Sequence, residues 1–161
     1  SHDLSTCTDI FGKNLRVINA FGFDLLKKKI HDMSTIVLSH KKIKIEIKSS
    51  WLNPEKIRKL IIIGSKKMLL FDEMDKGKPI KIYNKYAEYP KLDSFKKDFF
   101  TEKANIYYGK TFFPKIKFTS PLTLEMREFI KSIKKHKAPK TDGLYALNVM
   151  RLIEKVNKKL F

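Results

Sequence analysis

The sequence predicts an α+β fold, with an open-faced, predominantly antiparallel β-sheet and helices packed on one of its faces. Three observations predict this class. Apolar and polar residues alternate with a period of two in several runs between residues 15 and 83, which is the pattern of half-buried strands. Turn residues separate these runs, and two amphipathic helical patterns follow only after residue 119. Strands that precede helices favour a layered α+β domain over alternating βαβ units.

The chain opens with a short helical segment. Within residues 1–12 the spacing of Leu4, Cys7 and Phe11 is helical, and Gly12 is suited to end a helix. We interpret this segment as the last part of a helix that starts upstream. It therefore predicts that the chain is a fragment of a longer protein.

The first strands follow this helix. Residues 15–23 and residues 34–39 alternate or are rich in β-branched side chains, which predicts two strands. A polar, lysine-rich connection over residues 25–30 lies between them. His40 and Lys41 predict a tight hairpin from the second strand into the next one.

The stretch Lys42 to Asp72 is predicted to organise the sheet as a meander of three consecutive strands. Isoleucines alternate with charged residues over residues 43–47, which indicates one solvated face. Residues 57–63 are nearly all apolar and β-branched, so they predict a central and better buried strand. Residues 68–71 begin the third strand. The turns between these strands are Asn53-Pro54 and Gly64-Ser65.

The middle of the chain is less regular. Residues 79–83 predict another strand, opened by a proline, and residues 115–118 predict a late one. Between them, residues 84–111 carry many aromatic side chains among lysines and predict a long irregular segment. Its aromatics would hold the segment against the domain or form a recognition surface.

Two helices close the chain. Ser120 and Pro121 form a strong start, with a capping hydroxyl followed by proline in the first turn. Thr141 or Asp142 can cap the second helix after the break at Ala138-Pro139. The first helix carries one apolar stripe: Leu122, Met126, Phe129, Ile130 and Ile133. The apolar positions of the second are Leu144, Leu147, Met150, Ile153, Val156 and Leu160.

Length and composition bound the class of protein. At 161 residues the chain is most simply a single domain, and its apolar runs are too short to span a membrane. Without a signal-peptide pattern, and with Cys7 as its one cysteine, it is expected to be cytoplasmic. The net charge of +18 raises the alternative of nucleic-acid binding, but only four of its 35 basic residues are arginines. We interpret the lysines mainly as solvated faces.

The usual cofactor and metal motifs are absent from the sequence. No G-x-G-x-x-G occurs, and Gly64-Ser65-Lys66 lacks the upstream glycine of a P-loop. One cysteine and four widely spaced histidines predict no metal site. His31, His40 and His136 are expected to be surface or turn histidines.

Several ordered segments resemble the C-terminal domain of the Gfo/Idh/MocA family of NAD(P)-dependent oxidoreductases, in particular members that act on nucleotide-linked sugars. The resemblance starts at H-D-L-S and D-I-F-G, is most specific over Ser50 to Asp72, and continues through I-K-I-Y-N-K. It ends with S-P-L-T-L-E-M-R-E-F-I and A-P-K-T-D-G-L-Y-A-L-N-V-M-R-L-I-E. It covers nearly the whole chain and is weakest at residues 84–111.

The resemblance implies that residues 1–161 are the substrate and oligomerisation domain of a sugar or nucleotide-sugar dehydrogenase. NAD or NADP would be bound by an N-terminal Rossmann domain that this chain lacks, so the chain alone would bind no cofactor and be inactive. His2 matches the family's histidine beside the reacting sugar carbon and is the candidate catalytic residue. Ser5 stands where the family often has an acidic residue. Trp51, Lys56 and Arg58 are expected to be structural, with Trp51 packing the core.

Two alternatives stay open at this point. The chain could be a non-catalytic sugar-binding or assembly module that forms homo-oligomers through its open sheet face. It could also be a basic nucleic-acid-binding domain. Possible partners are thus a sugar or nucleotide-sugar substrate, a second copy of the chain, and a separate Rossmann domain, with no membrane.

Overall fold

The computed structural model describes residues 1–88, 104–117 and 119–160. Within them the chain forms α1 (His2–Phe11), β1 (Arg16–Phe23), β2 (Met33–His40), β3 (Ile43–Ser50), β4 (Lys59–Ile63), β5 (Met68–Asp72), β6 (Ile80–Glu88), β7 (Asn105–Phe112), α2 (Pro121–Lys135) and α3 (Gly143–Leu160). Two compact units result: unit 1 is Ser1–Asn53 with Thr119–Phe161, and unit 2 is Pro54–Phe118. The α+β class with open antiparallel sheets is confirmed, with two sheets in place of one.

Unit 1 contains a three-stranded antiparallel sheet in the order β1-β2-β3. The strands β2 and β3 are joined by the predicted tight hairpin, in which Lys41 takes a left-handed conformation with φ 52°. Across the sheet, Ile36 lies opposite Ala20 on one side and Ile47 on the other. All three side chains are buried, because one face of this sheet carries the core.

The helices α1 and α3 complete the core of unit 1. Helix α3 packs on β1, and α1 packs on α3. Leu4 and Cys7 from α1 join Leu152 and Val156 from α3 in one buried cluster with the sheet residues. Helix α1 ends as predicted at Gly12, whose φ of 83° is in the region that favours glycine.

Helix α2 differs from the prediction that both closing helices cover the sheet. It begins at Pro121 as expected, but Ser120 makes no side-chain capping hydrogen bond. The helix buries none of its residues, so the prediction holds only for α3. Its exposed apolar stripe is the predicted one: Leu122, Met126, Phe129, Ile130 and Ile133.

Unit 2 contains a four-stranded antiparallel sheet in the order β4-β5-β6-β7. The predicted meander is therefore wrong in its pairing, because β3 belongs to the other sheet. The reason is the connection over residues 51–58, which is too long for a tight hairpin and lets β3 pair with β2 instead. The turn at Gly64 is as predicted, and the Gly64 amide donates to the Lys67 carbonyl at 3.0 Å.

The strand β4 was expected to be central and well buried, and this is also wrong. It lies at the edge of its sheet, and Ile63 is 75% exposed. A run of β-branched side chains favours a strand wherever it lies, but it does not distinguish an edge from a centre.

The irregular segment predicted for residues 84–111 is partly regular. Strand β6 continues to Glu88, and β7 occupies Asn105–Phe112, where Tyr86 and Tyr107 stack at a centroid distance of 4.7 Å. The predicted strand at residues 115–118 is wrong for residues 115–117, which have no regular structure. Residues 89–103 and 118 lie outside the described residues.

A charged turn joins β5 to β6. The Asp75 carboxylate accepts hydrogen bonds from the amides of Gly77 and Lys78 at 3.1 and 2.9 Å, and pairs with the Lys81 ammonium at 3.0 Å. The Lys78 amide and then the Lys81 side chain lower the pKa of Asp75 to about 2. These contacts hold the turn in one conformation.

None of the helices in the described part of the chain combines the length and the apolarity needed to cross a bilayer.

The core of unit 1 can be tested at Leu38, which is fully buried at 0% exposure. Replacing it by alanine (Leu38→Ala) leaves a cavity, so the free energy of unfolding should fall by about 2–5 kcal/mol. Urea unfolding followed by far-UV circular dichroism measures this loss. The control Leu26→Ala removes an exposed leucine from the loop before β2 and should change stability little. Equal losses in the two variants would contradict the assigned core.

Candidate functional site

The predicted catalytic residue His2 lies at the first position of α1 and is exposed. The opposite side of the helix carries Leu4, Cys7 and Thr8, which are buried. Because residues 4, 7 and 8 share one helical face, the core determines the direction of α1 and places His2 at its solvent-exposed start. The imidazole of a histidine is suited to accept or donate a proton near neutral pH.

A hydroxyl pair fixes the first turns of α1 and α3 relative to each other. The Ser5 and Tyr145 hydroxyl oxygens lie 2.7 Å apart. The Tyr145 hydroxyl also donates to the Ser5 carbonyl at 3.1 Å, which leaves the Ser5 hydroxyl as the donor of the shorter bond. Both residues are half-buried. Ser5, which departs from the acidic residue that the resemblance leads one to expect, therefore joins two helices.

The start of α3 is held by a cap and an ion pair. Asp142 caps the helix, since its carboxylate accepts the Tyr145 amide at 2.8 Å, as one of the two predicted alternatives. Lys140 lies 3.8 Å from Asp9 on α1, an exposed pair that adds little stability. The candidate site thus joins the start of α1, with His2, to the start of α3, with Tyr145.

Other groups on α1 do not extend the chemistry of this site. Burial raises the pKa of the Cys7 thiol, and the nearby Asp3 carboxylate adds to the rise. A buried thiol with a raised pKa is a poor nucleophile. The hydroxyls of Thr6 and Thr8 donate to the carbonyls of His2 and Leu4, one helical turn earlier, at 3.0 and 2.9 Å.

The described residues contain no metal centre, because no three of their His, Cys, Asp and Glu side chains come together. At Gly64, where the sequence mimics the end of a P-loop, the amide donates to the Lys67 carbonyl within a turn.

The other histidines have varied environments. His136 ends α2 in a left-handed conformation with φ 49°, as expected of a turn histidine. The His40 ring lies 6.4 Å from the Phe11 ring. His31 lies in the loop before β2 and is half-buried, and its ring lies against Gly22. The sequence signal that was missed is this glycine inside a strand.

The structural roles expected near the signature segment are correct only in part. Trp51 was expected to pack the core, but it is 89% exposed. Its position explains the difference, because Trp51 follows Ser50, the last residue of β3 that pairs with β2. Arg58 does have a structural contact, an ion pair with Glu73 at 3.1 Å, and Lys56 is exposed.

Comparison with known proteins gives matches in structure only. No protein-family model matches the sequence, and no curated protein matches it. UDP-N-acetylglucosamine 3-dehydrogenase GnnA from Acidithiobacillus ferrooxidans is similar in structure with a TM-score of 0.73 and 16% identity, over 99% of this chain and 44% of GnnA. YvaA from Bacillus subtilis, provisionally described as an oxidoreductase, is similar with a TM-score of 0.62 and 12% identity, over 98% of this chain and 46% of YvaA.

These matches define the class of fold. The chain has the fold of just under half of each neighbour, and the neighbours are described as oxidoreductases. At this level of identity the similarity establishes the fold, while substrate and activity need their own evidence.

The link between α1 and α3 can be tested at Tyr145. Removing its hydroxyl (Tyr145→Phe) eliminates both hydrogen bonds to Ser5, so the free energy of unfolding should fall by about 1–3 kcal/mol, the contribution of two such bonds. Urea unfolding followed by far-UV circular dichroism measures the change. Tyr108→Phe in β7 is the matched control, because Tyr108 is exposed and lies in unit 2. A Tyr145→Phe variant as stable as the unchanged protein would refute the link.

Proposed function

We propose that this chain is the C-terminal, substrate-side part of an NAD(P)-dependent oxidoreductase that acts on a hydroxyl or keto group of a sugar or nucleotide-sugar. The observation that carries the proposal is the structural match over 99% of the chain to part of a UDP-N-acetylglucosamine 3-dehydrogenase. The ordered motifs that resemble the Gfo/Idh/MocA family support the same reading. A reducing, cytoplasmic compartment with a free Cys7 is part of this proposal.

The cofactor belongs to another domain in this proposal. The only phosphate-binding sequence that the chain imitates, at Gly64, has its amide closed into a turn. A Rossmann domain, in the same polypeptide or as a separate partner, would bind NAD or NADP and supply the acceptor for a hydride. The chain by itself would then be inactive.

The chain's own contribution to the reaction is proton transfer and orientation. When a sugar hydroxyl is oxidised to a carbonyl, its proton must pass to a base. His2 is exposed at the start of α1 and is the residue that we assign to this role. Ser5 and Tyr145 act as positioning residues, because their hydrogen bonds fix the helix that carries His2.

The role of His2 can be tested in the protein that joins this chain to a cofactor domain. Removing the imidazole (His2→Ala) should lower kcat for NAD(P)-dependent oxidation of a UDP-sugar by about 100- to 10,000-fold, the usual contribution of acid–base catalysis. Spectrophotometric detection of NAD(P)H measures the rate. His136→Asn is the control, since asparagine accepts the left-handed backbone at the end of α2. If His2→Ala retains the full kcat, His2 does not transfer the proton.

A specific observation also favours the alternative of an assembly module. The edge strand β4 exposes Ile61 and Ile63, which alternate onto the same face of the unit 2 sheet. Exposed apolar side chains on an edge strand favour association with a second copy. Homo-oligomers could form with or without catalysis, so this candidate does not exclude the first.

Light scattering over a range of concentrations tests assembly. The unchanged chain should show a mass that rises with concentration. The double variant Ile61→Lys/Ile63→Lys should stay monomeric, because burying two unpaired charges in an apolar interface is energetically unfavourable. The control Ile116→Lys changes an exposed isoleucine of unit 2 outside the strands. A monomeric unchanged chain at high concentration would end this alternative.

A further inference from the structure

A cavity lies at one end of the three-stranded sheet, where the core face stops. The strand register places Gly22, Ser34 and Ser49 side by side across β1, β2 and β3. Along each strand these residues lie two positions from Ala20, Ile36 and Ile47, so they continue the core-facing row toward the sheet end. The row changes there from apolar to small and hydroxyl-bearing side chains.

The His31 ring forms one wall of this region. A Cβ atom built on Gly22 would lie 2.5 Å from Cγ of His31, so the ring occupies the space that a side chain at position 22 would take. Since a strand side chain points to one face of its sheet, the ring lies on the same face as Ser34 and Ser49. The absence of a side chain at Gly22 is therefore a requirement for this arrangement.

The backbone around His31 is held firmly. The Asp32 amide donates to the Phe23 carbonyl at 2.8 Å, and the Asp32 carboxylate accepts the Leu26 amide at 2.8 Å. The Trp51 amide donates to the Asp32 carbonyl at 3.0 Å. These bonds tie the loop before β2 to the end of β3, which brings His31 and Trp51 to the same cavity.

Trp51 contributes the largest side chain to the lining of this cavity. Its exposed indole lines a cavity of about 310 Å³ together with His31, Ser34 and Ser49. Asp32, Met33 and Ser50 complete the lining. A volume of this size lies at the small end of the range for ligand sites and suits a single ring.

The charge of the lining selects against phosphate. The chain has 35 lysine and arginine residues, yet none of them is among the residues that line this cavity in the described structure. Its one acidic group, Asp32, would repel an anion. A neutral ligand is favoured, even though the net charge of the whole chain is +18.

We propose that this cavity binds a neutral pyranose ring. The polarised C–H groups on one face of such a ring match the electron-rich face of the Trp51 indole, and the ring hydroxyls can exchange hydrogen bonds with Ser34 and Ser49, while His31 contributes shape to the lining. The ring could come from a free glycoside or from the sugar part of a nucleotide-sugar. The site shares no residue with the α1–α3 site around His2, and the inference does not depend on the proposed dehydrogenase activity.

Trp51 is the only tryptophan of the chain, so its fluorescence reports directly on this cavity. Methyl β-D-glucopyranoside and N-acetylglucosamine, titrated into the full chain, should each change the emission saturably. Inorganic phosphate and UMP should not change it. If UDP-N-acetylglucosamine binds with the same Kd as N-acetylglucosamine, only the sugar ring is bound. If its Kd is lower, the nucleotide adds contacts outside the cavity. Both results support the site.

Variants identify the site. Removing one hydroxyl (Ser34→Ala or Ser49→Ala) should raise Kd about 2- to 10-fold, the effect of one lost hydrogen bond. Ser65→Ala, in the turn between β4 and β5, is the matched control and should leave Kd unchanged. Gly22→Ala should displace the His31 ring and weaken binding as well, with circular dichroism checking that the fold is intact.

Three results would overturn the proposal: no saturable change with either pyranoside, an equal response to UMP or phosphate, or an unchanged Kd in both serine variants. The dehydrogenase proposal has a separate readout, NAD(P)H formation by the joined protein with and without His2. Failure of one proposal therefore leaves the other standing.

Discussion

The structure of unit 1 depends on burying a single face of its three-stranded sheet. Leu38 and Ile36 lie at the centre of that face. Helix α3 packs on it at β1, and α1 packs on α3. The buried set is small, so each of its members contributes a large share of the stability. Every functional group that we assign in this unit is positioned by that burial. His2 stands at the start of a helix whose opposite face is buried, and Ser34 and Ser49 lie where the buried face ends.

The same constraint explains why the two assigned sites are separate. At the starts of α1 and α3, hydroxyl groups meet at the surface above the core, and Ser5 and Tyr145 join there. At the end of the sheet, the row of buried side chains gives way to Gly22, Ser34 and Ser49. Both places are boundaries of the core, where polar groups can reach a ligand and still be held by packed neighbours.

Unit 2 and α2 differ from the core of unit 1 in the exposure of their apolar side chains. Many apolar side chains of β4, β7 and α2 are exposed, including Ile63, Phe112 and Phe129. Single exposed apolar residues are ordinary, but groups of them on neighbouring strands or along one helix face are typical of surfaces that contact another chain or domain. This agrees with a chain that spans just under half of each structural neighbour.

The amino-acid sequence by itself determined the local structure. The alternating isoleucines of β3, the hairpin at Lys41, the end of α1 at Gly12 and the Asp142 cap of α3 were all predictable, because each depends on residues within one or two turns of chain. The motifs that carry the resemblance are also local, and so His2 could be named as a candidate. Its catalytic role stays a prediction, since position in a helix does not establish chemistry.

Only the tertiary structure decided which strands pair, which face is covered and which distant residues meet. No local pattern distinguishes β4 at an edge from β4 at a centre, and none predicts that Ser5 bonds to Tyr145, 140 residues away. Trp51 was expected in the core as a tryptophan at the end of a strand, but the strand register ends the core face before it. The physical reason is that strand register and helix packing are settled by the burial of the whole unit. The energy of that burial is shared among residues far apart in the sequence.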